Sequence, residues 1–436
     1  MYSDITDMFL NSIKSLRFYV NSVEKNIGNS YYEKIFNEDD LLNNGKKIFA
    51  LFMYLVIEAK KEGVDLLDDL QVAEEISKEE IEQFAKVVLE TENLIREKEI
   101  DGKKVYQYKN IPKELKEEYQ KLEIEEKQEE ILYSGSLMLL ITYFENMIAG
   151  VIKKDFIKHP ERVSLKEKTV SYKLLTEVGN IDDIRDILID QEVTNMMYDS
   201  LNGWKKFFQK SLKLELRSWE EKFDILQEII ARRNLFVHNN GVINNTYLNK
   251  LNSSDRNKIG KYIGIDRKYI DNAINIIEYI GISLIIEVWV KEYADDENEM
   301  KSIISIIYEE YLESERWEMA KQLYEICMNN KKICAGDKIL CQINYWQCYK
   351  WQGKYDEIKK EVENVDLSAY RPMYILGILT LKEDYQKFFE IFDEQSDIGE
   401  AQLKEWPLFR ELRKSEEYMI RFPDIEPYEM EWKVDE

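Results

Sequence analysis

Two long apolar runs decide most of what this chain can fold into. Leu137–Ile152 is interrupted by Glu145 and Asn146, and Ala273–Val290 by Glu278 and Glu287. A bilayer span takes about 20 predominantly apolar residues, and both runs are shorter than that or carry charge within them, so both read as buried core helices. A helix that is apolar nearly all round has no face to give to water and belongs at the centre of a bundle. Chain breakers are rare, with 16 Gly and 6 Pro in 436 residues, which suits long helices joined by short turns. The fold class expected is all-α.

The first third, residues 1–125, reads as a mostly helical domain. Its start, Tyr2-Ser3-Asp4-Ile5, has no basic segment followed by an apolar one, so no secretory signal is expected and the protein reads as cytoplasmic. Lys46–Lys61 has apolar residues three and four apart, and Ser77-Lys78-Glu79-Glu80 is a capping-box pattern opening a helix to about Glu92. One small β-hairpin is expected near 95–108, where Glu99-Ile100-Asp101-Gly102-Lys103-Lys104-Val105-Tyr106 alternates around Asp-Gly. Helices followed by a hairpin fit a winged-helix-like unit, but an incidental hairpin is the favoured reading; the local acidity disfavours DNA. Pro112 and the charged stretch Lys113–Glu130 read as a solvated bridging helix.

Helical periodicity then marks stretches at about 131–157, 191–213, 219–239 and 267–294, with a further one inside 165–190. The last part, 299–436, repeats a polar–aromatic–x–x–apolar start at Arg316-Trp317, Lys354-Tyr355 and Asp384-Tyr385. Intervals of 38 and 30 residues average about 34, the length of a tetratricopeptide unit. Such stacked helical hairpins bind protein partners or neighbouring domains. The cysteines, Cys327, Cys334, Cys341 and Cys348, stand seven apart, unlike paired zinc ligands two to four apart; they read as reduced packing residues on a helix broken at Ala335-Gly336.

A net charge of −24 opposes general nucleic-acid binding, but it is unevenly spread. Residues 1–130 carry about −11, 131–290 about +1 and 291–436 about −14, so only the middle third is permissive to a polyanion.

That middle third holds the one credible chemical site. Of the two histidines, His159 precedes Pro160 among lysines and reads as a solvated helix end; His238 ends a helix before Asn239-Asn240-Gly241. Asn and Gly accept the left-handed cap, and the last-turn carbonyls favour a positive charge there. On the same helix Phe223, Leu226, Ile230, Arg233 and Val237 form one stripe. An arginine on a buried stripe must be paired or face a cleft; Glu145, or a second copy of the chain, would serve. An imidazole that moves protons beside a guanidinium that stabilises phosphoryl charge suits RNA cleavage. That chemistry needs no metal or other cofactor, and no metal-ligand spacing is present. Five residues place Arg233 and His238 about 140° apart on an ideal helix, so facing copies of the helix would bring them together better than one copy does.

Arg-Asn-x-x-x-His at the end of a bundle's third helix, with the flanks Ala231-Arg232-Arg233-Asn234-Leu235-Phe236-Val237-His238-Asn239-Asn240-Gly241, resembles the HEPN superfamily (higher eukaryotes and prokaryotes nucleotide-binding). The resemblance covers about 131–295. It implies a four-helix bundle and a metal-independent endoribonuclease, active as a homodimer on RNA, of the toxin or abortive-infection type used against phage. It also implies that Arg233 and His238 are catalytic, with Asn234 orienting the site and Glu145 and Arg232 as secondary candidates. The competing reading is a dimerising, catalytically silent bundle whose C-terminal repeats grip a partner. A third is a regulator using the hairpin on DNA.

Overall fold

The computed structural model describes residues 2–35, 95–100, 103–108, 113–163, 169–395 and 397–423. The helices expected over Lys46–Lys61 and from Ser77 lie outside these residues. The described chain is predominantly helical.

Helix α1 (Tyr2–Ile35) is followed by strands β1 (Ile95–Ile100) and β2 (Lys103–Tyr108), and then by α2 (Lys113–Lys158). The strands pair antiparallel, Ile95 opposite Tyr108 and Ile100 opposite Lys103, the register that a two-residue Asp-Gly connection dictates. Helix α2 runs unbroken through the bridging stretch and the first apolar run, and ends where His159-Pro160 stops it.

After a short α3 (Tyr172–Val178), the stretch expected as one helix over 191–213 is shared by two, the end of α4 (Ile181–Met197) and α5 (Leu201–Lys210). The break falls at Ser200, whose hydroxyl accepts from the Gly203 N–H at 3.1 Å and so starts a new helix. The Trp204 indole donates to the Met196 carbonyl at 2.8 Å and fixes the corner. Helix α6 (Arg217–Glu221) leads into α7 (Phe223–Asn239), and α8 (Asn245–Lys250) precedes the long α9 (Arg267–Tyr293). Asp266 caps α9 by accepting from the Tyr269 N–H at 2.7 Å.

Helix α9 is the axis of the molecule. It and Lys127–Lys158 are long and apolar enough to cross a membrane by length and composition, and 83% of the apolar window of α9 is buried inside the fold. Ile274, Ile277, Ile285 and Trp289 of α9 meet Leu137, Ile141, Phe144 and Ile148 of α2 in one core. Tyr2, Phe9, Ile13 and Leu16 of α1 join that same core. The boundary drawn after residue 125 does not separate α1 from this core: among the described residues its apolar stripe packs on α2 and α9.

The boundary near 299 is also bridged. After α10 (Glu297–Ile307) and a π-helical turn at Tyr308–Leu312, the chain forms α11 (Trp317–Asn329) and α12 (Ala335–Trp351). Met300, Tyr311, Leu323, Cys327, Cys341 and Cys348 extend the bundle core into these helices. Beyond them come α13 (Tyr355–Glu363), α14 (Pro372–Lys382), α15 (Tyr385–Gln395), α16 (Glu400–Glu405) and α17 (Glu416–Arg421). Trp317, Tyr355 and Tyr385 each open a helix, so the recurring sequence pattern marks real helix starts. The cysteines do not share one helix. Cys334 caps α12, its sulfur accepting from the Asp337 N–H at 3.3 Å, so Ala335-Gly336 opens a helix; Cys327, Cys341 and Cys348 are buried.

One buried carboxylate ties the three parts together. Glu278 of α9 binds Arg17 of α1 at 2.6 Å and also Arg316, just before α11. Burial works to raise its pKa, but Arg316 and Arg17 outweigh that and hold the carboxyl below its ordinary range.

Candidate functional site at the end of helix α7

Helix α7 presents Leu226, Ile229, Leu235 and Phe236 to the interior. The stripe read from the sequence starts at this core and leaves it: Leu226 is buried, Ile230 and Arg233 are half-buried, and Val237 is 48% exposed. Arg233 therefore sits where the stripe surfaces against α2. Its Nη2 donates to Glu145 Oε1, with the two side chains 22% and 34% exposed. Its Nε–H is buried with no acceptor, so one subunit leaves the guanidinium only partly satisfied.

His238 lies in the last turn of α7 and is exposed. Among the described residues no hydrogen bond or ion pair engages its ring. The helix ends as Asn239-Asn240-Gly241 foretold: Asn240 takes the left-handed conformation at φ 48° and its N–H returns to the Leu235 carbonyl. Gly241 follows at φ 74°, where an added Cβ would run into the Tyr262 ring at 2.6 Å. Asn234 is half-buried, and among the described residues its amide makes no side-chain hydrogen bond. Arg233 and His238 thus occupy different faces of one helix, the first turned to α2 and the second to solvent, with no bond between them.

Arg232, one of the two secondary candidates, is held in a network of its own. Its Nε donates to Glu228 Oε1 at 2.7 Å, its Nη1 to the Gly264 carbonyl at 3.1 Å, and its guanidinium lies 4.0 Å over the Tyr269 ring. Tyr247 and Tyr269 also donate to Glu228, at 2.7 and 2.8 Å. Burial, with the Glu228 charge, pushes both phenols well above their ordinary pKa, so they stay protonated donors. The only sequence signal for this network was Glu228 and Arg232 four apart on one helix; the tyrosines come from α8 and α9.

His159 bridges Glu161 and Glu292, each at 3.3 Å, an ion cluster tying the end of α2 to the end of α9. Among the described residues no group of three or more His, Cys, Asp or Glu is placed to hold a metal ion. Comparison with protein-family models, curated proteins and solved structures gave no match to this chain.

Proposed function

We propose that this chain is a cytosolic endoribonuclease of the HEPN kind, acting as a toxin or antiphage effector. In this reading its site is composite, made by two copies that face each other across α2 and α7. The observation that carries the proposal is an unengaged imidazole on the exposed last turn of α7, on the same helix as a partly satisfied guanidinium. His238 from one copy would take the 2′-hydroxyl proton as that oxygen attacks phosphorus. His238 from the other would give a proton to the 5′ oxygen as the P–O5′ bond breaks, leaving a 2′,3′-cyclic phosphate. Arg233 would stabilise the charge building on the phosphoryl oxygens, and Glu145 would hold it in place. Val237, apolar and exposed one turn beyond Arg233 on the same stripe of α7, supports a partner surface there. The helix pairs from α11 onward would form a tetratricopeptide-like array that takes a protein partner or sensor.

The second reading, a dimerising module without catalysis, draws on the Arg233–Glu145 pair: a guanidinium neutralised inside its own subunit can be purely structural. Incubation of tRNA with wild type, His238→Ala and Arg233→Ala, with and without chelator, separates the two. The nuclease reading expects chelator-resistant cleavage by wild type and a loss of 10²–10⁴-fold in His238→Ala. Intact RNA with wild type at high concentration and under every trigger tried, or equal behaviour of all three proteins, would favour the module.

A further inference from the structure

The segment between α7 and α9 stands apart electrostatically. Residues 241–268 hold Lys250, Arg256, Lys258, Lys261, Arg267 and Lys268 against Asp255 and Asp266, six minus two or +4, in a chain of net −24. Residues 254–262 are exposed without interruption.

This segment is fastened to the helix end that carries His238. The Ile263 N–H bonds the Gly241 carbonyl at 2.8 Å, the Ile243 N–H the Lys261 carbonyl at 2.9 Å, and the Gly260 N–H the Ile243 carbonyl at 2.9 Å. Val242 and Tyr262 form a β-bridge. The Tyr262 ring meets Phe236 edge-on at 6.1 Å, its hydroxyl donates to Glu130 Oε1 at 2.5 Å, and nearly half its surface remains open. Lys261 and Tyr262 are thus held one backbone pairing from the α7 cap.

Arg267 is neutralised by Glu24 and Asp271, but the cations on the exposed part of the segment are not. Arg256 donates from Nη1 to Asn245 Oδ1 at 3.2 Å and from Nη2 to Asn249 Oδ1 at 3.0 Å. Both acceptors are neutral amides one turn apart on α8, so they orient the guanidinium without cancelling its charge. Lys258 has one loose partner, Asp255 at 3.6 Å; among the described residues Lys250 and Lys261 are in no ion pair. Oriented cations with an exposed ring among them are the parts of a surface that tracks a sugar–phosphate strand and stacks an unpaired base.

We propose that the exposed face of residues 245–262 is a grip for single-stranded RNA, with Lys250, Arg256, Lys258 and Lys261 on phosphates and Tyr262 under a base. It rests on the ribonuclease reading only in delivering the strand to His238. The test is fluorescence anisotropy of a labelled, unstructured 12-nucleotide RNA over a salt series, using full-length His238→Ala so that nothing is cleaved. Four phosphate contacts give a slope of log affinity against log salt of about −2.8. Arg256→Ala/Lys258→Ala/Lys261→Ala in that background should weaken binding at least tenfold and flatten the slope by about 2. Tyr262→Ala should weaken binding by roughly tenfold with the slope unchanged.

Equal affinity and slope in the triple variant, or no RNA binding even at low salt, overturns the grip. So does a polyglutamate peptide that binds as tightly as RNA, which would make the face a site for an acidic protein. Cleavage by wild type with RNA binding unaffected in the triple variant retires the grip and leaves the nuclease. Binding lost in the triple variant with no cleavage by wild type does the reverse.

Discussion

Glu278→Gln is the sharpest test of how the chain is held together. The substitution keeps the shape of the side chain and removes the one negative charge that α1 and the start of α11 share. Glu278 is 2% exposed, whereas Arg17 and Arg316 keep 31% and 33% of their side chains in solvent. Breaking a buried pair costs about 3–5 kcal/mol; because water still screens both guanidiniums, the low end, about 3 kcal/mol, applies. At ~2–4 °C per kcal/mol for a large cooperative unit, the melting temperature should fall by about 6–12 °C.

The sign of the pH dependence follows from the depressed carboxyl. A folded-state pKa below the unfolded value contributes stability that is complete above the ordinary carboxylate range and is lost as pH falls through the folded pKa. The gap between wild type and Glu278→Gln should therefore be constant near neutrality and close in acid, where wild type loses the same charge. Urea unfolding of both proteins at a series of pH values reads this directly. A triple replacement, Arg17→Met/Glu278→Leu/Arg316→Met, should recover most of the loss, since an apolar set of similar volume replaces the whole triad without stranding a charge. Wild-type stability in Glu278→Gln, or a gap that widens in acid, would refute the reasoning.

Other outcomes follow from the site and the core. Arg232→Ala should lower stability by about 2 kcal/mol by removing the charged partner of Glu228, as denaturation would measure; on the ribonuclease proposal, cleavage per folded molecule should stay at the wild-type level. His238→Ala should leave the melting temperature unchanged, because among the described residues nothing bonds the ring. Alkylation of the native protein near pH 8, followed by peptide mapping, should label Cys334 alone. Cys327 is sealed in the core, the Cys341 thiol is driven up by its Cys327 hydrogen bond and by burial, and burial pushes Cys348 up to about 12. Labelling of any of these three at the rate of Cys334 would show that α11 and α12 open readily.

Much of the architecture was legible because its signals are local. The apolar runs around Leu137 and Ala273 could only be central helices; the Asn-Asn-Gly after His238 could only be a helix end; Trp317, Tyr355 and Tyr385 marked helix starts. The 191–213 stretch misled because Ser200 as a cap is a choice between two local bonds that periodicity cannot see. The flanking network was hidden because Glu228 gathers partners from three helices.

By itself, then, the sequence located the long central helices, where α7 stops, and the stripe on that helix that carries Arg233 towards the end His238 occupies. Tertiary structure alone decided that α1 belongs to the bundle, that Glu278 locks three parts of the chain, and that Glu145 meets Arg233 while Arg232 turns inward. The physical reason is range: hydrogen bonds within a helix reach three or four residues, whereas a buried charge is paired by whichever element packing brings beside it.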